Sequence, residues 1–227
     1  MKKMLLMMSL ICGISMNING ALSETSASIT TEVGTFIPYV SENKIQERVR
    51  FLANQMRQDY PGKRPIFVGV LFGCKPFMAD LLANFSVPSE SGSKFEPYDM
   101  AFIRIASYGN TTESSGNIKL VLPLTRSITD RDTIIVEDII DTGLSMKYVY
   151  EMLLRENPRS LAIATFLRKE KAKDLDLPVK YVGLDISNEF VIGYGLDYAD
   201  QYRNLRSIYQ LVSDEKKRLR EMLSKKG

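Results

Sequence analysis

Residues 133–145 read T-I-I-V-E-D-I-I-D-T-G-L-S, and this stretch limits the possible folds more tightly than any other. Ile134-Ile135-Val136 is a continuous apolar run, as expected of a strand covered on both faces of a parallel sheet. Two carboxylates, Glu137 and Asp138, follow where that strand is expected to end. After Ile139-Ile140 comes a small polar turn, Asp141-Thr142-Gly143-Leu144-Ser145, and then Met146, Val149, Tyr150 and Leu153 recur at helical spacing. Strand, acidic pair, Gly-containing turn and helix, in that order, build a ligand site at the carboxyl edge of an open α/β sheet.

The residue types narrow the ligand. Gly143 allows a tight turn and a close approach of the backbone. Thr142 and Ser145 offer hydroxyls, and the amides that open the following helix have no partner within it. Such donors, with the helix dipole, suit a phosphate group. Two carboxylates beside a phosphate need something cationic or rich in hydroxyls between them, and a sugar diol or Mg²⁺ meets that need. The Gly-Lys-Ser/Thr of a nucleotide P-loop is absent, so the stretch reads as a site for a phosphorylated sugar.

The rest of the chain fits an α/β domain. Ser41 is placed to cap a helix whose Ile45, Val49, Leu52 and Met56 fall on one face, and Tyr60-Pro61-Gly62 ends it. Strands are expected over 66–72, 100–105, 118–122, 161–167, 179–184 and 190–193, with a second helix from Pro76 that buries Phe77, Leu81 and Leu82. Residues 107–117 form a polar loop with Gly109 and Gly116, and a polar loop of that length between strands is more often functional than idle. Asn157-Pro158 ends the helix after the 133–145 stretch, 168–176 reads as a charged connection, and 213–226 reads as a surface helix with charges matched to its dipole. Strands alternating with helices imply a mostly parallel sheet.

The composition removes several classes of function. The chain has 227 residues, room for one ordinary α/β domain. It has no histidine, which excludes His-based triads and His metal sites. Cys12 and Cys74 are the only two cysteines, too few for a metal cluster or a disulfide framework. The formal net charge of +3 leaves no polybasic footprint for nucleic acid. Met1-Lys2-Lys3 precedes an apolar run over 4–16 and then small polar residues, the layout of a secretory signal peptide and too short for a stable membrane span. Asn84-Phe85-Ser86 and Asn110-Thr111-Thr112 are glycosylation sequons. The leader reads either as such a signal or as a tail upstream of an internal start. Residues 1–34 are set outside the fold, 35–213 form the domain, and 214–227 form the terminal helix.

V-E-D-I-I-D-T-G-x-[ST] resembles the phosphoribosyl-pyrophosphate (PRPP) motif of type I phosphoribosyltransferases, and its spelling is most similar to the hypoxanthine-guanine enzymes. The resemblance runs from about residue 36 to residue 213. It includes Phe102-Ile103-Arg104-Ile105-Ala106-Ser107-Tyr108, the stretch from Phe190 to Tyr198, and Tyr202-Arg203-Asn204-Leu205. It implies the type I phosphoribosyltransferase fold, a mostly parallel sheet flanked by helices with a small hood subdomain. It also implies a residue-by-residue site. Glu137 and Asp138 would hold the ribose hydroxyls, directly or through Mg²⁺. Thr142, Gly143, Leu144 and Ser145 would grip the 5′-phosphate, and Asp141 would act as general base near purine N7. Lys169 would meet the exocyclic oxygen of a 6-oxopurine, Phe190 would stack on the base, and Val191 and Asp197 would meet its other edge. Asp197 would also face a second Mg²⁺, Gly73 and Arg203 would hold pyrophosphate, and Ser107-Tyr108 would head a mobile loop. The substrates implied are PRPP and hypoxanthine or guanine, the assembly a homo-dimer or homo-tetramer, and the compartment the cytoplasm, against which the signal-like leader stands.

Two departures from the family pattern bear on activity. The family's Leu-Lys-Gly-Gly turn reads Leu71-Phe72-Gly73-Cys74, and the lysine usual after Gly143 is Leu144. A positive charge is lost at each place, and Cys74 is expected to hinder the family's unusual backbone conformation. Lys75 is a nearby cation that could reach the anion. The readings that follow are an active 6-oxopurine phosphoribosyltransferase, a degenerate paralogue that binds PRPP or nucleotide with little turnover, and a lumenal form suggested by leader and sequons.

Overall fold

The computed structural model describes residues 27–32, 34–86, 95–107, 118–124 and 126–212. The chain enters through β1 (Ile29–Thr31) and β2 (Gly34–Val40) and continues into α1 (Glu42–Asp59), β3 (Ile66–Leu71) and α2 (Lys75–Ser86). Next come β4 (Asp99–Ser107), β5 (Ile118–Leu122), β6 (Asp132–Ile140) and α3 (Leu144–Leu154). Then β7 (Ser160–Lys169) leads into a 3₁₀ turn, Glu170–Ala172, before β8 (Val179–Ile186), β9 (Val191–Ile192) and β10 (Ile208–Leu211).

Six strands form the main sheet in the order β5-β4-β3-β6-β7-β8. All its pairings are parallel except β4 with β5 at the edge. α1 and α2 cover one face through Ile45, Val49, Leu52, Met56, Phe77 and Leu81. α3 covers the other through Met146, Val149 and Leu153. The Ser41 hydroxyl accepts from the Lys44 amide at 3.3 Å and caps α1, a contact worth about 1 kcal/mol. At Gly69, in the middle of β3, a Cβ would press on Met78 Sδ at 2.6 Å and Cys74 Sγ at 2.9 Å, so the glycine is where α2 sits closest to the sheet.

At the amino edge of the sheet Asp99 is almost fully buried and gathers three guanidinium groups. Arg64 lies 2.8 Å from it, Arg126 2.5 Å and Arg131 2.8 Å. These contacts tie together the starts of β3, β4 and β6.

A second sheet, β1-β2-β10-β9, is antiparallel and stands over the carboxyl edge of the first as a hood. Its small core is Phe36, Ile192 and Leu211, with Phe190 and Tyr198 packed against it. The fold therefore begins before residue 35: Ile29 pairs with Phe36 and supplies the one apolar contact of an otherwise Thr-rich strand, a signal too short for periodicity to register. The expected strand at 190–193 contracts to Val191–Ile192, because Gly193 (φ +94°) turns the chain toward Leu196. Arg168 and Lys169 belong to β7 rather than to a charged connection, held by a bidentate Arg168–Asp185 pair at 2.7 and 3.2 Å.

The leader over 1–26, the loop at 108–117 and the helix expected at 213–226 lie outside the described residues. No helix among the described residues is long and apolar enough to cross a membrane. Asn84 of the first sequon lies within α2, where its side-chain amide donates to the Asp80 carbonyl at 2.8 Å.

Candidate active site

β6 does not stop before the acidic pair. Ile139 and Ile140 pair with Leu167 and Arg168 of β7, so Glu137 and Asp138 sit inside the strand near its carboxyl end. Asp138 is 8% exposed, and its Oδ1 accepts from the Ile139 amide at 2.9 Å. Burial raises the proton affinity of both carboxyls. At Glu137 the neighbouring Asp138 adds to the rise, and at Asp138 hydrogen bonds and the charge of Arg203 oppose it. Neither carboxylate has a salt bridge to a basic side chain among the described residues.

The turn that follows opens α3 without a side-chain cap. Gly143 takes φ +79° and occupies the N-cap of α3 with no side-chain cap, and no acidic residue lies in the first turn. Leu175 fills the space a Cβ on Gly143 would need. The first amides of α3, from Leu144 to Met146, precede the first helical bond, which runs from the Lys147 amide to the Gly143 carbonyl at 2.8 Å. Thr142 is exposed and Ser145 half-buried beside a cavity of about 280 Å³, which the acidic pair also borders.

Asp141 lies between two ammonium groups. Lys169 Nζ is 3.1 Å from Oδ2, and Lys171 Nζ is 2.5 Å from Oδ1. Burial alone would raise the Asp141 pKa, but Lys171 and Lys169 together outweigh it and hold the carboxyl below its ordinary range. Lys169 is only 8% exposed, so it is not a solvated surface lysine. Lys171 was not among the sequence-derived site residues. K-E-K-A-K reads as a solvated charge run, and only the 3₁₀ turn folds its second lysine back onto Asp141.

A second cavity, of about 360 Å³, brings the remaining parts together. Glu137, Asp138, Asp141 and Lys169 face Phe190, Val191, Asp197 and Arg203 of the hood across it, with Gly73 at its wall. Phe190 lies near Phe36 and edge-on to Tyr198, at centroid distances of 6.3 and 6.1 Å. Arg203 pairs with Asp197 at 2.8 Å and Asp200 at 3.0 Å and donates to the Gly195 carbonyl at 2.9 Å. Ser107 ends β4, and Tyr108 lies outside the described residues.

This is an acidic strand end beside a capless helix, roofed by an aromatic hood. A phosphoribosyl transferase domain family matches residues 40–199. Over 175 residues the chain is 41% identical to the hypoxanthine-guanine phosphoribosyltransferase of Dictyostelium discoideum, a match covering 77% of this chain and 94% of that one. The chain belongs to the hypoxanthine-guanine phosphoribosyltransferase family. A solved structure of hypoxanthine phosphoribosyltransferase from Trypanosoma cruzi, complexed with its product IMP, superimposes with a TM-score of 0.70 at 32% identity, covering 83% of this chain and 96% of that one. The bifunctional TilS/HprT protein of Listeria monocytogenes is 39% identical over 166 residues, and there the match spans only 24% of the longer protein.

The turn over 71–74 is one of the two places where the sequence reading expects a departure from the family pattern. The Leu71–Phe72 peptide is cis, and neither Gly73 nor Cys74 takes a positive φ. Cys74 therefore does not obstruct the turn, contrary to expectation: its side chain is fully buried and packs over Gly69. Burial, then Glu137 and Asp138, push its thiol pKa far upward, so it is an unreactive core residue. Gly73 is required for a different reason, because a Cβ there would overlap the Asp138 carboxylate. Gly195 of the hood packs against the Gly73 carbonyl in the same way.

Phe72, at the family's lysine position, is 42% exposed, and the Arg104 guanidinium lies 4.4 Å from its ring centroid. Leu144, at the other lost lysine, is 48% exposed. Lys75 borders an adjoining cavity of about 560 Å³ with Phe72 and Arg203, and is not among the groups lining the cavity that holds Glu137 and Asp138. No cluster of three metal-ligating side chains occurs among the described residues. Two adjacent carboxylates with raised proton affinity and no salt bridge among the described residues do suit a divalent ion that keeps its waters and takes further oxygens from a substrate phosphate.

Proposed function

We propose that this protein is a 6-oxopurine phosphoribosyltransferase, which transfers the 5-phosphoribosyl group of PRPP to hypoxanthine or guanine. The observation that carries the reading is the single cavity that joins Glu137 and Asp138, the Asp141–Lys169 pair, and Phe190 and Val191 of the hood. In this reading the 5′-phosphate rests on the amides and hydroxyls of residues 142–145. The ribose hydroxyls meet Glu137 and Asp138, and the purine lies under Phe190 with its 6-oxo group toward Lys169.

The reaction breaks the bond from C1 of the ribose to the pyrophosphate oxygen and forms a bond from C1 to a purine nitrogen. Arg203 leaves Asp197 to bind the departing pyrophosphate, and Asp141 accepts the proton at purine N7. As the purine oxygen takes up the Lys169 ammonium, Asp141 loses one of the two cations that depress its basicity. It becomes a better base as the substrate seats. Mg²⁺, held by Glu137, Asp138 and Asp197 with the substrate oxygens, would neutralise the leaving charge.

A binding protein without turnover is the second reading, motivated by Phe72, Cys74 and Leu144; the burial of Cys74 over Gly69 and the intact acid–lysine pair oppose it. We also place the protein in the cytoplasm as a homo-dimer or homo-tetramer, on the family likeness. Sequencing the N-terminus of the native protein tests the compartment, and sedimentation tests the assembly. The activity test is purified protein with PRPP, Mg²⁺ and hypoxanthine, guanine or xanthine in turn. Expected are IMP or GMP with equimolar pyrophosphate. Absence of turnover together with absence of PRPP binding overturns the proposal, and PRPP binding without turnover favours the second reading.

A further inference from the structure

We infer that Lys171 is a positioning residue for Asp141, holding a counter-charge against one carboxylate oxygen when Lys169 turns to the purine. The inference rests on the proposed reaction for its kinetic consequence. Its geometric part stands alone. The two lysines divide the carboxylate as ion pairs, Lys169 on Oδ2 and Lys171 on Oδ1, at 3.1 and 2.5 Å; the Lys171 contact is one of charge and distance, since the angles at Oδ1 do not make a hydrogen bond. They differ in setting. The Lys169 side chain is 11% exposed and lines the hood cavity, whereas that of Lys171 is 42% exposed and stands outside it. Lys169 is thus the cation that a ligand can recruit, and Lys171 the one that stays.

The backbone that presents Lys171 is anchored. Ala172 is buried in the core beneath α3, and the Lys173 amide closes the turn on the Glu170 carbonyl at 3.1 Å. Leu175, further along the same segment, packs against Gly143. Asp141 and its turn are therefore braced by this segment through a charge and an apolar contact.

The charged groups facing Asp141 come from four directions. Glu137 and Asp138 of β6 line the same cavity, and Lys169 of β7 and Lys171 of the 3₁₀ turn lower the proton affinity of Asp141 against the rise due to burial. Asp197 and Arg203 of the hood are paired with each other at 2.8 Å and largely cancel. Without Lys171, a purine that engages Lys169 would leave Asp141 facing the two other acids with no cation of its own. The carboxylate would then swivel and protonate more readily.

The test compares wild type, Lys171→Ala and Lys171→Arg across pH. Lys171→Ala should move the acid limb of kcat to higher pH, with turnover at about pH 5 falling several-fold while the KM for PRPP is unchanged. Lys171→Arg should restore the wild-type limb. An unchanged limb in Lys171→Ala, a rise in KM alone, or failure of arginine to restore the limb overturns the inference. Carboxyl-carbon NMR titration of Asp141, its signal identified by Asp141→Asn, reads the same contact without turnover. Asp141 should titrate at higher pH in Lys171→Ala, and an identical titration in both proteins overturns the inference even if the protein proves inactive.

Discussion

Phe72 stands where the family resemblance implies a lysine beside the cavity. A lysine there would place an ammonium beside Gly73, whereas the phenyl ring instead stacks under Arg104 at 4.4 Å. A charge-assisted contact to phosphate contributes roughly 1.5–3 kcal/mol, so Phe72→Lys should tighten PRPP binding about ten- to a hundredfold. Calorimetric titration with PRPP and Mg²⁺ measures it, and an unchanged or weaker Kd means that Arg104 or Arg203 already supplies the charge. Single residues were unevenly legible in the sequence. Asp141 and Gly143 stood out because residue type and order together dictate a turn before a helix. Lys171 was hidden, since its role depends on a tertiary fold-back that a run of alternating charge does not encode. Cys74 fits despite the expected hindrance, because its side chain fills room left by the missing side chain of Gly69, a property of β3 rather than of the turn.

Among the elements, the parallel strands and α1 were readable, because buried strands require apolar runs and a one-sided helix requires a 3.6-residue period. The hood was not. Its strands have two to seven residues, and β1 carries one apolar side chain that matters. The Asp99 cluster also escaped sequence reading, because its members come from four separate segments that meet only at the sheet's amino edge. The three guanidinium groups, Arg131 first, hold the Asp99 carboxyl below its ordinary range. A depressed carboxyl stabilises the fold above its unfolded pKa of about 4, and that contribution is lost as pH falls through the folded value. The arginines are one-third to two-thirds exposed and regain water when released, so Asp99→Asn should cost about 1–2 kcal/mol at neutral pH. In urea unfolding, the gap between wild type and variant should narrow below about pH 4. A gap that persists unchanged into acid would show that shape, not charge, ties these strands.

For the whole molecule, the proposed function requires residues of both sheets to share one cavity. The main sheet and its turn contribute acids, the capless start of α3 and the buried lysine, and the hood contributes an aromatic roof and an arginine. Gly73 and Gly195 let the two approach closely enough to share one cavity. A crystal structure of the protein with GMP, Mg²⁺ and pyrophosphate tests this arrangement most directly. The account predicts the 5′-phosphate on the amides of residues 142–145, the ribose hydroxyls at Glu137 and Asp138, guanine between Phe190 and Lys169, and pyrophosphate released from C1 beside Arg203. A nucleotide bound away from this cavity, or seated with its phosphate under the hood and its base on the turn, would contradict it.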